Sequence, residues 1–418
     1  MKSRKKSNLP GIENIISTGG AEMASLALRG GEPVLAPGTY KRAVWPPVDE
    51  ETAELVKELY LSGKWSFNSE TEQKFEQEFA AYHGAKYGVF MANGTVTLEC
   101  ALLTLGIGPG DEVIVPGLTW LATAMAVIYT GATPVFADVE KETCCLDPES
   151  FEKAITPRTK AVIPVHLYGS MADLEKITAI ADRNNIAVIE DCAHMQGGFW
   201  NGRGAGTWGK VGSFSFQQSK TLSSGEGGIC LTNDAHTADL LYRAKHIGYS
   251  RMDGQGGAKT PPPPEMICHN YRGLAVSALI LSAQLKKLPE RLARYKAFAD
   301  GLIRIAAEIP GVSIQSPGRL ATIQGYYGVQ VMFDPEIWGM KELSSVFCYE
   351  GFPLFANYGP VYKHMLFNTK KYRDTGCPNA EYLGVCSFTL QHHYMDSVEM
   401  LPVIEKILHK VYEHRSEI

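Results

Sequence analysis

From about residue 85 the chain alternates short apolar runs with longer stretches whose apolar positions recur every three or four residues. KYGVFMA, EVIVP, PVFADV, KAVIPVHL and IAVIED are apolar almost throughout rather than at alternate positions, as strands covered on both faces should be. Helical spacing follows the first run from Thr95 to Leu105 and the second from Thr119 to Tyr129, and recurs in MADLEKITAIADRNN between the last two. Strands separated by helices of this length predict βαβ units and a mainly parallel sheet. SFSF and GICLT add two further strands, closer together.

The pattern changes after the proline block Pro261–Pro264. A helical region from Leu274 to Ala307, a strand YYGVQVMF, a helix near Lys341–Glu350 and an amphipathic helix from Val398 to His414 predict an α+β arrangement. The expected organisation is an extended N-terminal segment (1–48), a large α/β domain (49–299) and a smaller α+β C-terminal domain (300–418). The first segment carries Gly and Pro with weak periodicity, so it is expected to run over the surface or across a partner subunit.

Composition narrows the function. The 418 residues are 45% hydrophobic and 20% charged with a net charge of −5, which supplies a large core and argues against nucleic acid as a partner. No run approaches the roughly 18 apolar residues that a membrane helix needs, so no membrane is expected. The basic N-terminus MKSRKKSNLPG is followed by no apolar stretch of signal-peptide type. Nine cysteines occur without a CxxC pair, which points to neither zinc nor a disulfide framework and suits a reducing cytoplasm. His269, His364, His392 and His393 lack HxxxH or HExxH spacing, so no metal is expected. Gly204-Ala-Gly206-Thr-Trp-Gly209 matches GxGxxG but precedes a strand instead of joining a strand to a helix, so a dinucleotide site is not expected there.

In an open parallel sheet, ligands bind beyond the carboxyl ends of the strands. After KYGVFMA comes Asn93-Gly94-Thr95 leading into a helix, either an ordinary capped turn or a phosphate cradle. After EVIVP comes Trp120, either a core residue or an aromatic that lies on a planar ligand. IAVIED ends in Asp191, which can cap, pair or receive a protonated ring nitrogen. Ser215 and Lys220 follow in FSFQQSKTLSSGEGG. A phosphate cradle, an aromatic, an acid and a lysine, each just after a strand of one sheet, are the set that pyridoxal 5′-phosphate needs. The lysine takes its aldehyde as a Schiff base, and the carboxylate keeps its pyridine nitrogen protonated.

These residues resemble the DegT/DnrJ/EryC1/StrS sugar aminotransferases, of pyridoxal-phosphate fold type I. The likeness is carried by WSFNSETEQKFEQEFAAYHGAKYGVFMANGT, GIGPGDEVIVPGLTW, GATPVFADV, AVIPVHLYGSMADLEKI, VIEDCAHMQGG, GSFSFQQSKTLSSGEGG and HNYRG, over roughly residues 60–280. It implies Lys220 as the Schiff-base lysine, Asp191 on the pyridine nitrogen, Trp120 on the ring, and Gly94, Thr95 and Ser215 on the phosphate. It places His194 near the 3′-oxygen, and gives Asn270 a phosphate contact across a homodimer interface. L-glutamine or L-glutamate would donate the amino group, and Lys220 would act as a neutral amine with its pKa pushed down by the cationic cofactor and partial burial. The stretch FSFQQSK…GEGG looks closer to the branch that aminates free keto-cyclitols, the glutamine:scyllo-inosose type, in aminocyclitol antibiotic biosynthesis. Nucleotide-linked ketosugar aminotransferases and 3-amino-5-hydroxybenzoate synthases, whose HH segment is similar to Gln391-His392-His393, are the alternatives. Tyr358, His392 and Trp65, with the rest of its segment to Asn68, are the expected substrate contacts. A desulfurase would need a reactive cysteine on a mobile loop, where only Cys268 and Cys377 stand in loop-like surroundings.

Overall fold

In the computed structural model, residues 25–66, 69–253 and 260–418 are described; the first 24 residues of the expected N-terminal segment, and Phe67 and Asn68 of the expected substrate-contact segment, lie outside them. The apolar runs form strands β1 (Tyr87–Met91), β2 (Glu112–Pro116), β3 (Thr133–Ala137), β4 (Thr159–Val162) and β5 (Ala187–Asp191). A short hairpin, β6 (Phe199–Trp200) and β7 (Arg203–Gly204), precedes β8 (Val211–Ser215) and β9 (Gly228–Thr232). The C-terminal third adds β10 (Val312–Ile314), β11 (Ala321–Ile323), β12 (Gly328–Phe333), β13 (Phe355–Ala356), β14 (Arg373–Asp374) and β15 (Ser387–Gln391).

The large sheet has the order β1-β9-β8-β5-β4-β2-β3-β14. From β8 to β14 every pairing is parallel, while β9 runs antiparallel to both β8 and β1. The change follows from the connections: helices cross over between β1 and β5, the β6–β7 hairpin lies between the parallel β5 and β8, and only a loop joins β8 to β9. Because β9 opposes both neighbours, β1 points the same way as β8, and the carboxyl ends of β1, β2, β5 and β8 share one edge. The second sheet, β10-β12-β15-β13, is antiparallel throughout. The expected α/β sheet and α+β C-terminal part are therefore present, although β14 returns to the edge of the large sheet.

Three local expectations change. KAVIPVHL stops as a strand at Val162, because Pro164 has no N–H to donate to a ladder. The helical region after residue 274 is two helices, Ala275–Leu285 and Leu288–Ala306, with Pro289 in the first turn of the second, where its missing N–H costs nothing. Helices Glu50–Ser62 and Glu70–His83, which the apolar periodicity does not reveal, begin at Asp49 and Ser69 caps that accept from Thr52 and Glu72 N–H. Glu70–His83 is tied down by Lys245, whose buried Nζ lies 2.6 Å from Glu72, 3.5 Å from Glu76 and 2.6 Å from the Phe90 carbonyl.

One apolar core lies among β1–β5 and their helices; a second fills the space between the sheet, helix Leu288–Ala306 and the C-terminal sheet. Leu26, Leu35 and Tyr40 join the second core, so residues 25–40 pack closely onto the C-terminal part. Glu350 anchors them by accepting from Ala27 and Val34 N–H at 2.7 and 3.1 Å while paired with Lys410 at 2.9 Å. Among the described residues no helix is long and apolar enough to cross a membrane.

Candidate active site

The carboxyl edge of the large sheet opens into a cavity of about 930 Å³. Gly94, Thr95, Trp120, Asp191, His194, Ser215, Lys220 and Tyr358 all line it, so the structure brings together eight of the expected site residues.

Their positions follow from strand register. Gly228 pairs with Met91 on one side and Ser215 on the other, which lays the Asn93-Gly94 turn against the end of β8. Asn93 caps helix Gly94–Thr104 by accepting from Thr95 and Val96 N–H at 3.0 and 3.1 Å. A Cβ on Gly94 would stand 2.5 Å from Ser215 Cβ, so only glycine lets the helix start approach that strand. The result is a helix N-terminus flanked by the Thr95 and Ser215 hydroxyls, a setting that favours an anion.

Asp191 ends β5 and is buried. Its carboxylate accepts from Thr123 Oγ1 at 2.8 Å and from Ala193 N–H at 3.1 Å. Burial nevertheless raises its pKa, and among the described residues no cation is in contact with it. His194 accepts from Tyr168 N–H on Nδ1 at 3.1 Å, and burial holds its pKa well below the ordinary value. It is therefore a neutral ring whose proton sits on Nε2, free to donate. Its ring stacks on Tyr327 with centroids 3.8 Å apart at 3°.

Lys220 is 9% exposed and belongs to no ion pair among the described residues. Burial lowers its pKa from 10.5 to about 8, against the opposing pull of Asp191. The expected partial burial is thus near-complete, and it lowers the pKa with no cofactor charge required. Small residues shape the loop that carries it: Phe216 N–H donates to Gly227 at 2.8 Å and Gln218 N–H to Gly225 at 2.9 Å. Two helices brace its far side, Gln284 through Ser223 at 2.6 Å and Arg291 through the Thr221 carbonyl at 2.9 Å.

Three expected residues are not brought to this cavity in their own chain. Asn270 is exposed, in a bridge with His246. Trp65 is 52% exposed and stacks on Tyr60 at 5.3 Å. His392 is buried behind Tyr327, whose carbonyl its Nδ1 contacts at 3.0 Å. Tyr327, Thr123 and Gln217, which sequence reasoning did not single out, line the cavity instead. The GxGxxG stretch wraps a buried acid rather than a phosphate: Glu190 accepts from Gly206, Trp208 and Gly209 N–H at 2.7–2.8 Å. Cys377 is buried and Cys268 half-buried, with both thiols raised by burial, which removes the reactive cysteine a desulfurase needs.

A doubly covered sheet whose carboxyl edge gathers a lysine, a buried acid and an anion-binding helix start defines a fold type I aminotransferase. The chain belongs to the DegT/DnrJ/EryC1/StrS aminotransferase family, whose model matches residues 46–407. It is 36% identical over 361 residues to an L-glutamine:2-deoxy-scyllo-inosose aminotransferase of Streptoalloteichus tenebrarius, covering 82% of this chain and 83% of that one. An enzyme of the same name from Streptomyces lividus is 41% identical over 304 residues, covering 68% of this chain and 70% of that one. The crystal structure of 3-amino-5-hydroxybenzoic acid synthase superposes with a TM-score of 0.82 at 28% identity, over 91% of this chain and 100% of that one.

Proposed function

We propose that this aminotransferase moves the amino group of L-glutamine to a keto-cyclitol, using pyridoxal 5′-phosphate attached to Lys220. One observation carries the reading: an amine without an ion pair, its pKa near 8, shares a cavity with a buried carboxylate that lacks a cation. The names of the two scyllo-inosose relatives support the donor and the acceptor class.

The residues present fit the cofactor. Bound there, it supplies an aldehyde that exchanges amino groups and a cationic ring that withdraws electrons. Asp191, fixed by Thr123 and the Ala193 N–H, would hold the proton on the ring nitrogen. The helix start that Gly94 allows, with the Thr95 and Ser215 hydroxyls, would hold the phosphate, and Trp120 would lie against the ring. His194, with Nδ1 occupied by the Tyr168 N–H, would donate from Nε2 to the ring oxygen. Lys220 Nζ, free of the aldehyde once the donor is bound, would accept the donor's Cα proton and give the same proton to the former aldehyde carbon. A pKa near 8 leaves about a tenth of a free lysine neutral at pH 7, against less than a thousandth at the ordinary value. Tyr358 is placed to meet the acceptor. Asn270, exposed and outside its own chain's cavity, would reach the phosphate of a partner subunit in a homodimer.

The test is the donor half-reaction. Yellow holoenzyme mixed with L-glutamine should bleach and release pyridoxamine phosphate on denaturation; Lys220→Ala should not. Pyridoxamine-loaded enzyme should then turn over a keto-inositol. Turnover of a nucleotide-linked ketosugar alone would overturn the acceptor assignment, and a Lys220→Ala protein that still converts glutamine would overturn the site.

A further inference from the structure

The amino donor and the acceptor differ in charge. L-glutamine keeps a charged α-carboxylate throughout, whereas a keto-cyclitol is neutral. A carboxylate drawn out of water needs a cation or a set of N–H donors, and arginine meets it with two parallel hydrogen bonds. The cavity around Lys220 is poorly supplied for this. Among the described residues it is lined by three carboxylates, Glu99, Asp191 and Glu226, and by no arginine. Its one lysine is the group that has to react.

A second cavity, of about 610 Å³, adjoins the first, and Gln217, Ser219 and Gln391 line both. Among the described residues, Arg42 is the only charged one that lines it. The neighbouring Lys41 is paired with Glu399, but Arg42 belongs to no ion pair among the described residues and leans towards the Tyr394 ring at 6.0 Å. Across the same cavity, His393 Nδ1 is buried and has no hydrogen-bond partner among the described residues. Burial and the Arg42 charge lower the His393 pKa to about 4, so its ring is neutral and adds no competing charge.

The segment bearing Arg42 is fastened to both walls. Ala43 N–H donates to the His393 carbonyl at 2.9 Å, beside the end of β15. Trp45 Nε1 donates to the Gln218 carbonyl at 2.8 Å, on the loop that carries Lys220. The Trp45 ring meets His392 edge-on at 4.4 Å and lies under Arg291 at 5.0 Å. Arg42, exposed and without an ion pair among the described residues, is thereby carried on a segment fastened to the reactive lysine's own loop, beside a cavity that no described carboxylate lines.

We propose that Arg42 forms the carboxylate subsite of the amino donor, with Gln391 and His393 beside it. This rests on the reading of the protein as an aminotransferase that uses an amino acid. Arg42 is a specificity residue in this assignment: it selects a carboxylate-bearing donor and contributes little to the neutral acceptor.

The test separates the two half-reactions of the holoenzyme. In Arg42→Gln, KM for L-glutamine should rise about tenfold or more, the lower end for losing a hydrogen bond to a charged group, and KM for the keto-cyclitol by much less. Arg42→Lys, which keeps the charge and loses the fork, should recover part of the glutamine term. Equal rises in both constants, or an unchanged glutamine KM, would overturn the assignment. Glutarate, which carries the carboxylates and no amine, tests the subsite without turnover. Calorimetry should show it binding the wild-type holoenzyme and losing that binding in Arg42→Gln; equal binding to both would also overturn the proposal. If the wild type transfers no amino group from any amino acid while glutarate still discriminates the two proteins, the functional reading fails and the anion subsite stands.

Discussion

Lys220 Nζ lies 4.6 Å from the centre of the Tyr327 ring, and the same ring stacks on His194 at 3.8 Å. Two such contacts cannot share a face, so Tyr327 separates the amine from the imidazole. Its π-face is the close attractive contact of a buried ammonium that has no ion pair, and such a contact contributes about 2 kcal/mol when desolvated. Removing it should lower the Lys220 pKa by roughly one and a half units below its value of about 8. The rate at which apoenzyme captures pyridoxal phosphate reads this pKa, because only the neutral amine attacks the aldehyde. The wild-type rate should rise with pH through a midpoint near 8. The midpoint should move down in Tyr327→Leu and much less in Tyr327→Phe; a midpoint unmoved in the leucine variant would show that the ring contributes nothing.

Gly94 is required by distance rather than by backbone conformation. A Cβ there would come within 2.5 Å of Ser215 Cβ and 3.1 Å of Ser215 Cα, and backbone on β8 has nowhere to go. Gly94→Ala should push the helix start away from the strand and weaken cofactor binding by about tenfold to a hundredfold, read as the dissociation constant for pyridoxal phosphate. Ser215→Gly removes the colliding atom. The double variant should therefore bind better than the sum of the single losses predicts, a coupling of about 1 kcal/mol or more. Strict additivity would show that the collision is not the cause.

Thr123 meets Asp191 directly. Its hydroxyl donates to Oδ2 at 2.8 Å, one of two hydrogen bonds that hold the buried carboxylate ionised against the effect of burial. Thr123→Val keeps the shape and removes the donor, so the Asp191 pKa should rise further. Hydrogen bonds to charged groups are worth about 1.5–3 kcal/mol, so kcat should fall about tenfold to a hundredfold. The discriminating readout is the pH profile: the acid limb of kcat should shift upward, where a merely structural defect would lower the whole curve without moving it.

The legible part of the site is the part set by local pattern. Uninterrupted apolar runs mark strand ends, and those ends place Asp191 and Ser215; the small-residue stretch after FSF places Lys220. The decoy at Gly204–Gly209 is settled by its context, since a loop entering β8 instead of leaving a strand offers its N–H groups to Glu190. Tyr327 and Arg42 were not legible, because each arrives through a contact distant in sequence: Tyr327 through the C-terminal sheet, Arg42 through residues 25–48 folding back. Gln391-His392-His393 shows the same limit. One motif is divided between a residue lining both cavities, one buried between them and one lining the second. Trp65 carries the family's sequence signal, yet in its own chain it rests on Tyr60.

The depressed pKa of Lys220 also makes stability depend on pH in a direction opposite to that of a paired lysine. Its ordinary value is 10.5 and its value in the folded protein about 8, so between these limits the unfolded chain binds the proton that the native state has shed. Stability therefore rises with pH through this window, where a lysine with a raised pKa would lose it. The full shift corresponds to about 3 kcal/mol, an upper figure for one buried amine. Other lysines and tyrosines titrate over the same range, so the contribution appears only as a difference. The unfolding free energy of apoenzyme minus that of Lys220→Met should grow from about pH 7.5 to pH 10.5, steepest midway between the folded-state and the ordinary pKa. A difference that stays flat over the window would mean that Lys220 is solvated in the native protein, and that its amine enters the reaction with no help from burial.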